Sequence, residues 1–138
     1  MTAPPGCEVI PADALVARVR RLHDRRARLV QIGATRLANR LEVNYSFDLE
    51  GQLQHLRLHL PPTGARVPSI SAVYWCAFIY ENELHDLFQL EVEGMAVDFH
   101  GRFYQTAVKF PFGRRRPPAA AAPGPAPAPL PAAPTPAA

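Results

Sequence analysis

Leu41-Glu42-Val43-Asn44-Tyr45-Ser46-Phe47-Asp48-Leu49, then Glu50-Gly51, then Gln52-Leu53-Gln54-His55-Leu56-Arg57-Leu58-His59-Leu60 is the stretch on which the fold turns. Leu41, Val43, Tyr45, Phe47 and Leu49 alternate with polar residues, the period-two pattern of a half-buried strand. Leu56, Leu58 and Leu60 alternate with His55, Arg57 and His59 in the same way. Glu50-Gly51 supplies the turn. A loop of that length sets Tyr45 opposite Leu56, Val43 opposite Leu58 and Leu41 opposite Leu60, so all six share one face. Glu42 then opposes His59 on the other face, a cross-strand ion pair worth well under ~1 kcal/mol.

On the N-terminal side, Pro11-Ala12-Asp13 opens a helix with Asp13 as its cap. Leu15, Val19, Leu22 and Leu29 form its buried stripe, and Arg18, Arg21, Arg25 and Arg28 mostly face outward. Gly33 marks a change of element, and Leu29 to Ile32 is consistent with the start of a strand. After the hairpin, Pro61, Pro62 and Gly64 stop the chain, and Pro68-Ser69-Ile70 leads into a second helix around Phe78–Gln89. Tyr80, Leu84, Leu87 and Phe88 fit its apolar stripe at i, i+4, i+7 and i+8. Glu81, Glu83 and Asp86 lie off that stripe, with no Lys or Arg between Arg66 and Arg102 to balance them. Downstream, Leu90–Gly94, Ala96–Phe99 and Phe103–Phe110 read as short extended pieces, with His100-Gly101 able to turn a second hairpin. The expected class is α+β: an N-terminal helix, an antiparallel sheet with the hairpin, and a second helix packed on the sheet.

The 138 residues allow one domain. Residues 1–10 read as a flexible N-terminus, 11–112 as the folded part and 113–138 as a disordered Ala/Pro-rich tail. Nine of the 16 prolines fall in that tail, beside almost no bulky apolar side chain, so ordering it would bury too little surface. The net charge of +3 hides a division along the chain: residues 1–41 carry +5, residues 42–98 carry −7, and residues 99–138 carry +5. A basic total is therefore a poor argument for nucleic acid. The two cysteines, Cys7 and Cys76, stand in no metal spacing. They cannot supply the four thiolates of an iron–sulfur cluster or a cysteine zinc site. Cys76 falls in an apolar run, where a buried free thiol in a reducing cytoplasm is expected. The start MTAPPGCEVIPADAL lacks a signal-peptide pattern, and no apolar run approaches the ~20 residues of a membrane-spanning helix.

Groupings that could carry chemistry are sparse. Glu81 and His85 stand at i and i+4 and offer two metal ligands, with no evident third. The plainer reading is a helix-surface pair contributing a few tenths of a kcal/mol. His55 and His59 lie four residues apart on one strand, roughly 13 Å, too far to share an ion. Glu81 and Glu83, two apart on a helix, diverge and make no acid/base couple. No Ser, Cys or Thr nucleophile stands in a recognised elbow. No catalytic or metal site is expected. The arginines of the first helix, with Arg114-Arg115-Arg116, could serve a stand-alone basic module for an anionic partner such as nucleic acid, but no aromatic side chains interleave with them as stacking platforms.

Val67-Pro68-Ser69-Ile70, followed by Glu81-Asn82-Glu83-Leu84-His85-Asp86-Leu87-Phe88, resembles the core signature of the 30-kDa subunit family of NADH-quinone oxidoreductase (complex I). That family includes the small subunit of energy-converting membrane-bound nickel–iron hydrogenases. The resemblance covers residues 11–112. Gln89 stands where complex I members usually have glycine, and the downstream segment rich in Gly-His-Pro and Arg is missing. In its place, Glu93 to Tyr104 and Lys109-Phe110-Pro111-Phe112 look more like the hydrogenase branch. The resemblance implies a subunit without a cofactor of its own, packed beside the large subunit with an iron–sulfur subunit nearby. It would lie peripherally on the cytoplasmic side of the membrane, attached only through partners. Under that reading Glu81, Glu83 and Asp86 are the polar docking contacts, and Leu87 and Phe88 the apolar anchors.

Overall fold

The computed structural model describes residues 6–113. The elements are β1 (Cys7–Val9), a 3-10 turn (Ala12–Ala14), α1 (Leu15–Asp24), β2 (Arg28–Arg36), β3 (Leu41–Leu49), β4 (Gln52–Leu60), β5 (Arg66–Pro68), α2 (Ala77–Phe88) and β6 (Glu91–Glu93). The class is α+β, as the patterning predicts.

The hairpin β3–β4 forms in the expected register, with Leu41 opposite Leu60, Val43 opposite Leu58 and Tyr45 opposite Leu56. All six are buried, and they centre a core that also takes in Phe47, Ile32, Leu15 and Val19. Glu50 (φ 54°) and Gly51 (φ 79°) both occupy the left-handed region. Two-residue hairpin turns require this, because their twist then matches that of the strands. The other face carries a polar ladder between residues directly opposite in register. His59 lies 3.4 Å from Glu42, Arg57 donates to Asn44 at 2.7 Å, and the Ser46 hydroxyl meets His55 Nδ1 at 2.9 Å. Glu42 also holds Arg40 at 2.7 Å. That hydrogen bond keeps its carboxyl below the usual glutamate range.

The sheet departs from the expected form in two ways. Its strand order is β1-β4-β3-β2, with β1 parallel to β4, so it is mixed. Part of the stretch read as a flexible N-terminus is thus an edge strand, with Cys7 half-buried in it. A three-residue strand is too short for alternation to register. Gly6, at φ 85°, makes the approach possible: a Cβ there would lie 2.9 Å from the Leu53 carbonyl oxygen. In α1, Leu15 and Val19 are buried as predicted, but Leu29 belongs to β2, and Asp13 makes no capping bond. The turn before α1 is closed instead by the Ala14 N–H donating to the Pro11 carbonyl.

The second hairpin does not form among the described residues. His100 (φ 52°) and Gly101 (φ 75°) do make a turn, closed by the Arg102 N–H on the Phe99 carbonyl at 3.0 Å. The flanking main chain bonds elsewhere. The N–H groups of Ala96, Phe99 and Tyr104 donate to the side chains of Ser71, Asn82 and Asp86 at 2.9, 3.0 and 2.8 Å. Side-chain acceptors have replaced a strand ladder. Only β6 remains extended there, parallel to β5 with Val92 opposite Val67.

Helix α2 packs against β2 and ends on Gln89 in the left-handed conformation, φ 61° and ψ 32°. The N–H groups of Gln89 and Leu90 reach back to the carbonyls of His85 and Leu84, and Leu90 is fully buried behind the cap. A residue with a Cβ is strained in this conformation and glycine is not. Gln89→Gly is therefore expected to stabilise the fold by about 0.5–1 kcal/mol in urea unfolding. A lower midpoint would show that the Gln89 side chain contributes more than its backbone costs.

Candidate functional site

The face of α2 turned to the protein is Ala77, Glu81 and Leu84, flanked by Asn82 and Asp86. The expected stripe of Tyr80, Leu84, Leu87 and Phe88 is largely right: Leu84 is buried, Tyr80 and Phe88 pack half-buried against the core, and Leu87 does not join it. Glu81, read as solvent-facing, is 1% exposed. Its Oε1 accepts the Ile70 N–H and its Oε2 the Ser69 hydroxyl, both at 2.7 Å. Burial pushes its pKa up, and the two hydrogen bonds partly offset that. Ser69 and Ser71 continue the network at 2.7 Å, so the carboxylate organises the turn between β5 and α2.

Asn82 and Asp86 act on the following segment. The Asn82 amide donates to the carbonyls of Phe78 and Val97 while its oxygen accepts the Phe99 N–H. Asp86 is 5% exposed, with Oδ2 on the Tyr104 N–H and Oδ1 unpartnered among the described residues. At the C-terminal end, the Arg36 guanidinium takes the carbonyls of Phe88 (2.7 Å), Phe112 (3.1 Å) and Pro62. A cation against the last carbonyls of a helix is favourable. Desolvation lowers its pKa.

The five residues proposed as a docking ridge are thus not one surface. Glu81 and Asp86 are spent inside the chain. Glu83 remains accessible and accepts the Tyr104 hydroxyl at 2.9 Å, which pushes that tyrosine's pKa up. Phe88 leans on Phe112, ring centres 5.3 Å apart. Glu81 and His85 do not converge: the carboxylate turns to Ser69 and Ile70, and His85 faces the Leu90 carbonyl and the Phe110 ring. Among the described residues, no three His, Cys, Asp or Glu side chains gather as metal ligands would. Cys76, expected inside, is exposed.

What faces outward is a row at every fourth residue: Trp75 in the turn just before α2, then Ile79, Glu83 and Leu87 on the helix, the last two half-buried. Trp75 is 63% exposed and Ile79 44%. Phe99 (40%) and Tyr104 (42%) continue the surface, brought alongside by their bonds to Asn82 and Glu83. The rings of Trp75 and Phe78 lie 5.5 Å apart, those of Phe99 and Phe103 5.2 Å. Sequence patterning alone missed this patch. Its signal was Trp75 and Ile79, bulky apolar residues left over after the buried stripe was assigned. A group of exposed aromatics around one carboxylate suits burial against another protein.

Comparison with known proteins places this geometry. Residues 9–102 match the model of a family described as respiratory-chain NADH dehydrogenase, 30 Kd subunit. Among solved structures, the chain is similar to one from the membrane-bound sulfane sulfur reductase, an archaeal respiratory membrane complex, at 23% identity and TM-score 0.60. That match covers 68% of this chain and 59% of the other. It is also similar to the trypsin-resistant fragment of Nqo5, at 20% identity and TM-score 0.59, covering 66% of this chain and 80% of the fragment. No curated protein matches it in sequence.

Buried Glu81 yields a test of the turn before α2. Glu81→Ala leaves the Ile70 N–H and the Ser69 hydroxyl without their acceptor and is expected to cost about 2–4 kcal/mol. Glu81→Gln keeps an acceptor and should fold. The unfolded chain ionises this residue near 4.5 and the folded chain at a higher pH. In that interval the native state holds the extra proton, so stability falls as pH rises. Melting midpoints followed upward from pH 4.5 should decline for wild type relative to Glu81→Gln; parallel curves would refute the raised pKa.

Proposed function

The chain belongs to the respiratory-chain NADH dehydrogenase 30 Kd subunit family, and from that premise we propose that it is a non-catalytic structural subunit docking beside the large subunit of its complex. Family membership makes it a subunit of a respiratory-type oxidoreductase. The partner is a large subunit of the nickel–iron hydrogenase or complex I type, with the iron–sulfur subunit nearby. The protein takes no redox group of its own, a reading supported by its two widely separated cysteines, one on β1 and one at the start of α2. No helix among the described residues is long and apolar enough to cross a membrane. Attachment to the cytoplasmic face of the membrane then runs through the partners. The hydrogenase branch is favoured by the continuation from Glu93 to Phe112.

The observation that carries this reading is the outward row that Trp75 opens and α2 continues. Trp75 and Ile79, with Phe99 and Tyr104 beside them, offer an apolar surface whose burial stabilises an interface. Glu83 is the one carboxylate within it. At a desolvated boundary such a charge contributes to orientation and choice of partner more than to affinity. Electron transfer is supported indirectly, by holding the cofactor-bearing subunits in register.

Trp75→Ser with Ile79→Asp, made in the tagged full-length chain and expressed with its own complex, should reduce the recovered large subunit by at least about tenfold. Leu53→Asp is the control, since Leu53 is 56% exposed on the hairpin, away from α2. Equal recovery from all three proteins would remove the docking role from this face.

A further inference from the structure

A second feature lies on α1. Six arginines and one aspartate fall between Leu15 and Arg28. Arg18 and Arg21 stand three apart on one face of α1, and Arg25 is the residue that caps its C-terminus. They form one wall of a cleft of about 380 Å³. Gly6 to Glu8 at β1 and Gln54 to Leu56 on β4 line it with them, beside Leu22. Glu8, the single carboxylate lining it, pairs with Arg18. Neither Arg21 nor Arg25 forms an ion pair among the described residues.

We propose that this cleft binds a phosphate group, held by the guanidinium groups of Arg21 and Arg25. Two planar forks lining one cleft, one from α1 and one from its C-terminal cap, suit a compact oxyanion that can accept several charge-assisted hydrogen bonds. The cleft's volume falls in the range for small ligands, which suits a compact group. Gln54 supplies a further amide donor at the rim. Glu8 sets the affinity, because it competes with the ligand for Arg18. The same phosphate chemistry is presented by a soluble phosphorylated molecule and by an anionic phospholipid headgroup.

The experiment uses the full chain with two phosphate probes, inorganic pyrophosphate in calorimetry and flotation with phosphatidylglycerol vesicles against phosphatidylcholine vesicles, and an oligoglutamate peptide in calorimetry as the carboxylate comparison. Saturable binding to either probe is expected. Arg21→Glu with Arg25→Glu should weaken it at least about tenfold, since both forks are lost. Arg20→Glu changes a charge on α1 without lining the cleft and should leave binding within about twofold. Glu8→Gln should tighten it several-fold. All these residues are accessible, and matching circular dichroism melts confirm folding. Response to pyrophosphate identifies a soluble source and response to phosphatidylglycerol alone identifies a headgroup. No binding to either probe, loss equal in Arg20→Glu, or binding only of an oligoglutamate peptide would each overturn the proposal.

Discussion

The chain after β5 is held by acceptors that α2 buries. A carboxylate at 1% exposure, like that of Glu81, costs several kcal/mol unless its oxygens find donors. Each oxygen has one, and both donors come from the turn that delivers the chain to α2. Asn82 and Asp86 hold the next stretch of main chain: Asn82 donates to the Val97 carbonyl and accepts the Phe99 N–H, and Asp86 Oδ2 accepts the Tyr104 N–H while its Oδ1 has no partner among the described residues. Without strands to pair them, those backbone groups would be buried and unsatisfied, or the segment would lie open to water. The polar residues of α2 thus stand in for a missing sheet.

The other half of the fold needs no such device. In β3–β4 the backbone bonds are supplied by the ladder, the core by six alternating apolar residues, and the outer face by opposed polar pairs. Each level agrees with the others, which is the condition under which a sequence specifies one arrangement. The two halves meet where α2 lies on β2, with the Tyr80 hydroxyl on the Val30 carbonyl and Arg36 against the carbonyl of Phe88.

This division explains what could be read in advance. The hairpin register was legible because phase and turn length constrain each other. Both helices were legible from their spacing. β1 was not, since three residues carry no periodicity and a parallel edge pairing leaves no turn signal. The faces of α2 were misassigned because a pattern reading ranks glutamate as outward, and Glu81 lies inward for a reason written eleven residues away, at Ile70. The stretch from Ala96 to Phe110 reads as extended pieces, but the N–H groups of Ala96, Phe99 and Tyr104 are claimed by side chains and form no strand ladder. Trp75 and Ile79 were the visible residue of that error, since an apolar row without a core to join is a surface.

The misassignment bears on how the subunit would work. Had Glu81, Glu83 and Asp86 formed one exposed ridge, docking would be electrostatic, long-ranged and sensitive to salt. With two of the three carboxylates consumed internally, the outward face is largely apolar, and the docking proposed there would rest on buried area with Glu83 to orient it. The free cations of α1 sit on a different helix, lining a cleft with β1 and β4 that the α2 row does not share. The docking face and the anion cleft proposed above therefore share no lining residue.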